Sequence, residues 1–127
     1  MGYGYTKEIN LGFEEAEARV RKELQKEGFG VLTEIDVKTT LKNKLDVDYK
    51  NYKILGACNP PFAYKALQAE KEIGLLLPCN VIIYKDKDKV FVSAINPAEA
   101  MGMVNNPELK EIAGEVGEKL KRVIDNL

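Results

Sequence analysis

The chain has two cysteines, Cys58 and Cys79, and each stands beside an asparagine and a proline. The first lies in Ile54-Leu-Gly-Ala-Cys-Asn-Pro-Pro61 and the second in Gly74-Leu-Leu-Leu-Pro-Cys-Asn80. A thiol just ahead of a helix meets free backbone amides and the positive end of the helix dipole, which favour thiolate. Cys58 fits that placement: Asn59 can cap a helix, and Pro60 at the first helical position forfeits no hydrogen bond. It reads as a reactive or ligand-binding thiol, or as a small residue filling a strand end. Cys79 follows Pro78, which cannot donate to a ladder and so marks an edge, a bulge or a strand start. The separation of the cysteines rules out the CxxC of a thiol–disulfide exchanger. Should the sulfurs meet in space, a reversible disulfide or a two-coordinate soft-metal site such as Cu(I) becomes available. Asn59 and Asn80 are candidate ligand contacts; capping accounts for Asn59, and Asn80 has no structural account. Tyr64, one turn into the helix, either lines the same region or packs in the core. The candidate ligand-binding set is therefore Cys58, Asn59, Pro60, Tyr64, Pro78, Cys79 and Asn80.

Composition removes much other chemistry. There is no histidine, so no imidazole base can activate a nucleophile and no imidazole can ligate a metal. Two thiols cannot complete a tetrahedral zinc site within one chain. Nineteen basic residues against twenty acidic ones leave a net charge of −1, which disfavours nucleic-acid binding. The basic run Lys38, Lys42, Lys44 is followed by Asp46 and Asp48 and reads as a solvated face. Gly28-Phe29-Gly30 lacks the third glycine of a dinucleotide loop and ends a helix instead of opening one. Glu34, Asp36, Asp46 and Asp48 suit caps and turns better than paired-carboxylate catalysis. Met101 and Met103 read as packing. No cofactor or metal is expected.

Met1 to Ile9 has no apolar core of a secretory signal, and no apolar run approaches a membrane span. A cytoplasmic location with free thiols is the expectation. A chain of 127 residues with 45% apolar and 31% charged residues fits one domain, residues 1–127, with a core of its own.

The elements that must position the cysteines follow from patterning. Tyr3, Tyr5 and Ile9 alternate as a first strand. Asn10 or Gly12 then opens a helix that buries Phe13, Ala16, Val20 and Leu24 and turns Arg19, Arg21, Lys22 and Glu23 to water. Gly28 is its left-handed stop, and Phe29 folds back on Leu24. Residues 30–37 form a second strand with Val31, Thr33 and Ile35 on one side. Asp36 caps a short helix with Val37, Leu41 and Leu45 in line. Residues 52–57 form a third strand. The helix after Asn59 buries Phe62, Ala66 and Ile73, with Ala63 and Leu67 alongside, and ends at Gly74. Residues 75–84 and 89–95 make a hairpin through the charged turn 85–88. Asn96-Pro97 and Asn106-Pro107 open further helical segments. The last carries a stripe of Leu109, Ile112, Val116, Leu120, Val123 and Leu127, and Gly114 and Gly117 suggest close packing.

The order β-α-β-(short α)-β-α-β-β-α predicts an α+β fold. It would have a largely antiparallel sheet of about five strands with helices packed on one face. The unit spanning 52–84 is expected to add one right-handed crossover.

Gly28-Phe29, Tyr52-Lys-Ile-Leu-Gly-Ala-Cys-Asn-Pro-Pro61 and Leu75-Leu-Leu-Pro-Cys-Asn80, in that order, resemble the family called domain of unknown function 302. The likeness runs from the first helix to Asn96-Pro97 and leaves the C-terminal helix without a recognisable signature. The resemblance implies a curved antiparallel sheet with helices on one side, like TATA-binding-protein-type domains, and a homodimer. Sheet similarity does not carry DNA binding with it. The residues predict a cytoplasmic module that binds a small molecule or protein near Cys58–Pro61 and Pro78–Asn80, non-catalytic by default, and the resemblance implies that it is dimeric. The alternative is a thiol protein that uses Cys58 and Cys79 for redox or soft-metal handling. A third reading is a structural or interaction role through the sheet edge or the C-terminal helix.

Overall fold

A computed structural model describes residues 2–127, so Met1 of the expected domain lies outside the described residues. Five strands form one sheet in the order β1-β5-β4-β3-β2: β1 Gly4–Ile9, β2 Gly30–Asp36, β3 Tyr52–Cys58, β4 Cys79–Asp86 and β5 Lys89–Ile95. Every neighbouring pair is antiparallel, as an α+β reading requires. The helices are α1 Phe13–Lys26, α2 Val37–Leu45, α3 Pro60–Ala69, α4 Pro97–Ala100 and α5 Pro107–Asp125. No described helix is long and apolar enough to cross a membrane.

Local chemistry explains most boundaries. At the end of α1, Gly28 takes φ +85° and the Phe29 amide donates back to the Leu24 carbonyl at 2.9 Å, a Schellman turn that buries Phe29. Asp36 accepts the Thr39 amide and caps α2. All three Asn-Pro pairs open helices, with proline at the first helical position. In the β4–β5 hairpin Asp86 pairs with Lys89, leaving Lys87 and Asp88 as a two-residue turn. Both have positive φ, the pattern of a type I′ turn.

Five expectations need correction. The 52–84 unit holds no parallel crossover, because β3 and β4 are adjacent and antiparallel. The long crossing is β1–α1–β2, whose strands lie at opposite edges of the sheet. Residues 75–78 are not strand: α3 stops at Ala69, Glu70 turns extended (φ −148°), and Lys71–Leu76 winds as a 3-10 segment before β4 starts at Cys79. Ile73 is buried from that segment rather than from α3. Val31 and Thr33 face opposite sides, because the register shifts between them and leaves Leu32 as an extra residue. Val31 then sits opposite Ala57, while Thr33 sits opposite Gly56. Glu23, expected in water, is buried and held by Lys26 at 2.9 Å. Gly117 packs closely, a Cβ there lying 3.5 Å from Pro97 Cδ, whereas Gly114 faces open space.

The main core lies between the sheet and helices α1 and α5. Val20 and Leu24 of α1, Leu55, Val81, Ile83 and Val92 of the sheet, and Leu120 and Val123 of α5 are buried. Each such side chain contributes about 1.5–3 kcal/mol on leaving water. A second cluster, Ala66, Ile73, Met101, Leu109 and Ala113, lies under α3 and α5 beside the strand ends that carry the cysteines. An ion network fastens α1 to β2 and β3. Lys53 donates to Glu17 at 2.8 Å, and Arg21 bridges Glu17 and Glu34. Burial raises the Glu17 carboxyl, but hydrogen bonds from Lys53 and Arg21 outweigh it and hold the group below its ordinary range. The opposite face of the sheet carries a cross-strand stack. Tyr52 lies 5.6 Å from Tyr84, and Tyr84 lies 5.3 Å from Phe91.

Candidate functional site: an apolar cavity at the cysteine strand ends

Cys58 ends β3 and Cys79 begins β4, where Cys79 pairs with Ala57. The chain continues from Cys58 into α3, and α5 runs alongside α3. Between these elements lies a cavity of about 340 Å³. Ala57, Cys58, Pro78 and Cys79 form its sheet end, Phe62, Ala63 and Ala66 its α3 wall, and Ile112, Ala113 and Val116 its α5 wall. Phe29 and Met101 close it further, and the exposed Leu32 and Leu67 and the half-buried Phe62 lie at its rim. The volume falls within the range of about 300–1,000 Å³ common for small-molecule sites.

Small side chains explain the space. Ala63 and Ala66 of α3 and Ala113 of α5 stand where longer apolar residues would meet across the two helices. Patterning places Phe62, Ala63 and Ala66 on the inner face of α3 and Ile112 and Val116 in the apolar stripe of α5, but only as core. Ala113 and Leu32 carry no signal, and nothing in the sequence shows that these segments enclose a cavity.

The expected residues divide. Cys58, Asn59, Pro78 and Cys79 line the cavity together. Pro60 is exposed, and Tyr64 projects outward with 65% exposure, so neither takes part. Asn80 is exposed on the other side of β4, where strand alternation separates it from Cys79. It borders a smaller hollow of about 220 Å³ that shares Leu77, Pro78, Cys79, Pro97 and Met101 with the cavity.

Asn59 behaves differently from a capping residue. Its side chain makes no cap hydrogen bond; Nδ2 instead donates to the Glu27 carbonyl at the end of α1, at 3.1 Å. The reason is the double proline. Pro60 and Pro61 remove two amides from the start of α3, so little is left there to cap. The same two prolines leave fewer free amides at this helix start to bind an anion. At the other thiol, burial, with a smaller effect from Cys58, pushes Cys79 up to about 11. Cys79 is therefore a neutral thiol near pH 7, a weak nucleophile and a poor metal ligand. The arrangement favours holding an apolar molecule against carbon and neutral sulfur.

A model of the family described as "Domain of unknown function DUF302" matches residues 5–127. A crystal structure of an uncharacterized conserved protein DUF302 from Bacillus stearothermophilus is similar, with a TM-score of 0.91 and 32% sequence identity. The likeness covers 97% of this chain and 96% of that one. No curated protein matches the chain. A match over nearly the whole length, joined to a solved structure of the same fold, places the chain: it belongs to the DUF302 family.

Proposed function

We propose that this protein is a non-catalytic binding module for a small apolar molecule, held in the cavity between the β3 and β4 ends, α3 and α5. One observation carries the reading. A hollow of about 340 Å³ is walled almost entirely by carbon, with two thiols at its sheet end. Covering such walls is favourable by about 25 cal/mol for each Å² of apolar surface removed from water. A concave apolar hollow favours a small molecule over a protein segment as the occupant. Calorimetric titration with decan-1-ol tests it. Saturable 1:1 binding with a negative heat-capacity change is expected; no saturable heat would overturn the reading.

The rival role in redox or soft-metal chemistry needs a thiolate. The protonated Cys79 and the missing amides at Pro60 and Pro61 both weigh against it.

The module is further proposed to act as a homodimer in the cytoplasm. Support for the dimer comes from the sheet face opposite the main core. The Tyr52–Tyr84–Phe91 stack lies there, and Ile35 and Tyr49 are each 48% exposed. A second copy would cover these rings.

A further inference from the structure

Phe62 lines the cavity, and its ring carries two cations. Lys65 Nζ lies 5.4 Å from the ring centroid and Lys119 Nζ lies 5.7 Å from it. Lys65 comes from the exposed side of α3 and Lys119 from α5, so the two ammonium groups converge from both helices that wall the cavity. Two like charges over one ring repel each other. Neither forms an ion pair among the described residues; Glu115, one turn before Lys119 on α5, does not reach it. Among the described residues only Lys26, Lys42, Lys53 and Lys89 of the other lysines have carboxylate partners, so it is the convergence of two lysines on one cavity-lining ring, and not the lack of an ion pair, that distinguishes Lys65 and Lys119. An apolar chamber thus adjoins a pair of uncompensated cations, with one aromatic ring touching both.

We infer that the occupant is an anionic amphiphile, a single-chain carboxylic acid of fatty-acid type. Its hydrocarbon tail fills the carbon-walled chamber, and its carboxylate sits between Lys65 and Lys119. The inference rests on the cavity reading and adds the charge of the ligand to it. A carboxylate between the two ammonium groups removes their mutual repulsion and gains two charge-assisted hydrogen bonds. A neutral alcohol of the same length gains neither. A cationic amphiphile is repelled.

The experiment titrates the full chain with decanoate and with decan-1-ol at neutral pH, then repeats both on the Lys65→Gln/Lys119→Gln variant. Both substitutions lie on exposed or half-buried surface, and circular dichroism checks that the variant is folded. Decanoate is expected to bind about tenfold more tightly than decan-1-ol, the sum of two modest ion pairs. In the variant that ratio is expected to fall toward one. Equal affinity for acid and alcohol in the native chain overturns the inference while leaving the cavity reading intact. A tenfold ratio that survives in the variant overturns it as well. Binding of neither compound overturns both.

Discussion

The Asn59 amide donates a hydrogen bond to the Glu27 carbonyl, joining the residue that opens α3 to the one that closes α1. Asn59 is 8% exposed, so the bond is largely shielded from water. It holds the α3 wall against the sheet and core, because the double proline leaves Asn59 free of capping. Removing one partner of a buried hydrogen bond costs about 1–3 kcal/mol. Asn59→Ala should lose that much in denaturant unfolding. Asn59→Asp should lose at least as much, since a carboxylate cannot donate to a carbonyl.

Gly56 makes room for the residues on either side of the cavity's sheet end. A Cβ there would lie 2.8 Å from Pro78 Cγ and would overlap the Thr33 hydroxyl. Gly56→Ala must therefore push both neighbours, and overpacking of this kind costs about 1–3 kcal/mol. Thermal unfolding should register the loss. Adding Thr33→Ala should recover part of it, because the hydroxyl is then gone while the proline ring still crowds the methyl.

Much of this architecture was readable from patterning. Gly28 before Phe29, Asp36 before a short helix and the three Asn-Pro pairs act through local backbone chemistry, and each formed the boundary expected of it. The errors came from tertiary causes. The run 75–78 has strand composition, yet Ile73 docks in the second core cluster and Asn106 bonds the Ala69 carbonyl, so the chain turns first. The bulge at Leu32 has no sequence mark, and it alone reverses which face Thr33 takes. At the site, the cysteine segments were legible as a pair of strand ends. The cavity was not, because its size depends on alanines from helices far apart in the chain.

Cys79 gives a pH signature. Burial raises its thiol from an ordinary 9.0 to about 11, so the folded state retains a proton that the unfolded chain releases. The contribution is full below pH 9 and is lost as pH rises toward 11. Two pKa units correspond to about 2–3 kcal/mol. Cys79→Ala should flatten the decline of unfolding free energy between these limits relative to the native chain. In the folded protein at pH 8, a thiol reagent should leave Cys79 unmodified.

The proposed dimer is tested by light scattering at micromolar concentration. Twice the chain mass of 14.2 kDa is expected. Tyr84→Lys, which puts a charge in the middle of the aromatic stack, should return the mass to that of one chain. A monomeric native protein would contradict the dimer.

Binding of decan-1-ol to native protein and to Ala113→Leu tests the central claim most directly. Ala113 is buried, 2% exposed, and faces the cavity from α5, so a leucine there occupies the space assigned to the ligand. The account predicts saturable binding to the native chain and at least a tenfold loss of affinity in Ala113→Leu. The variant should also melt at or above the native temperature, because the added methyl groups fill a void. Equal affinity in the two proteins would contradict the account, and so would an Ala113→Leu variant that melts several degrees lower.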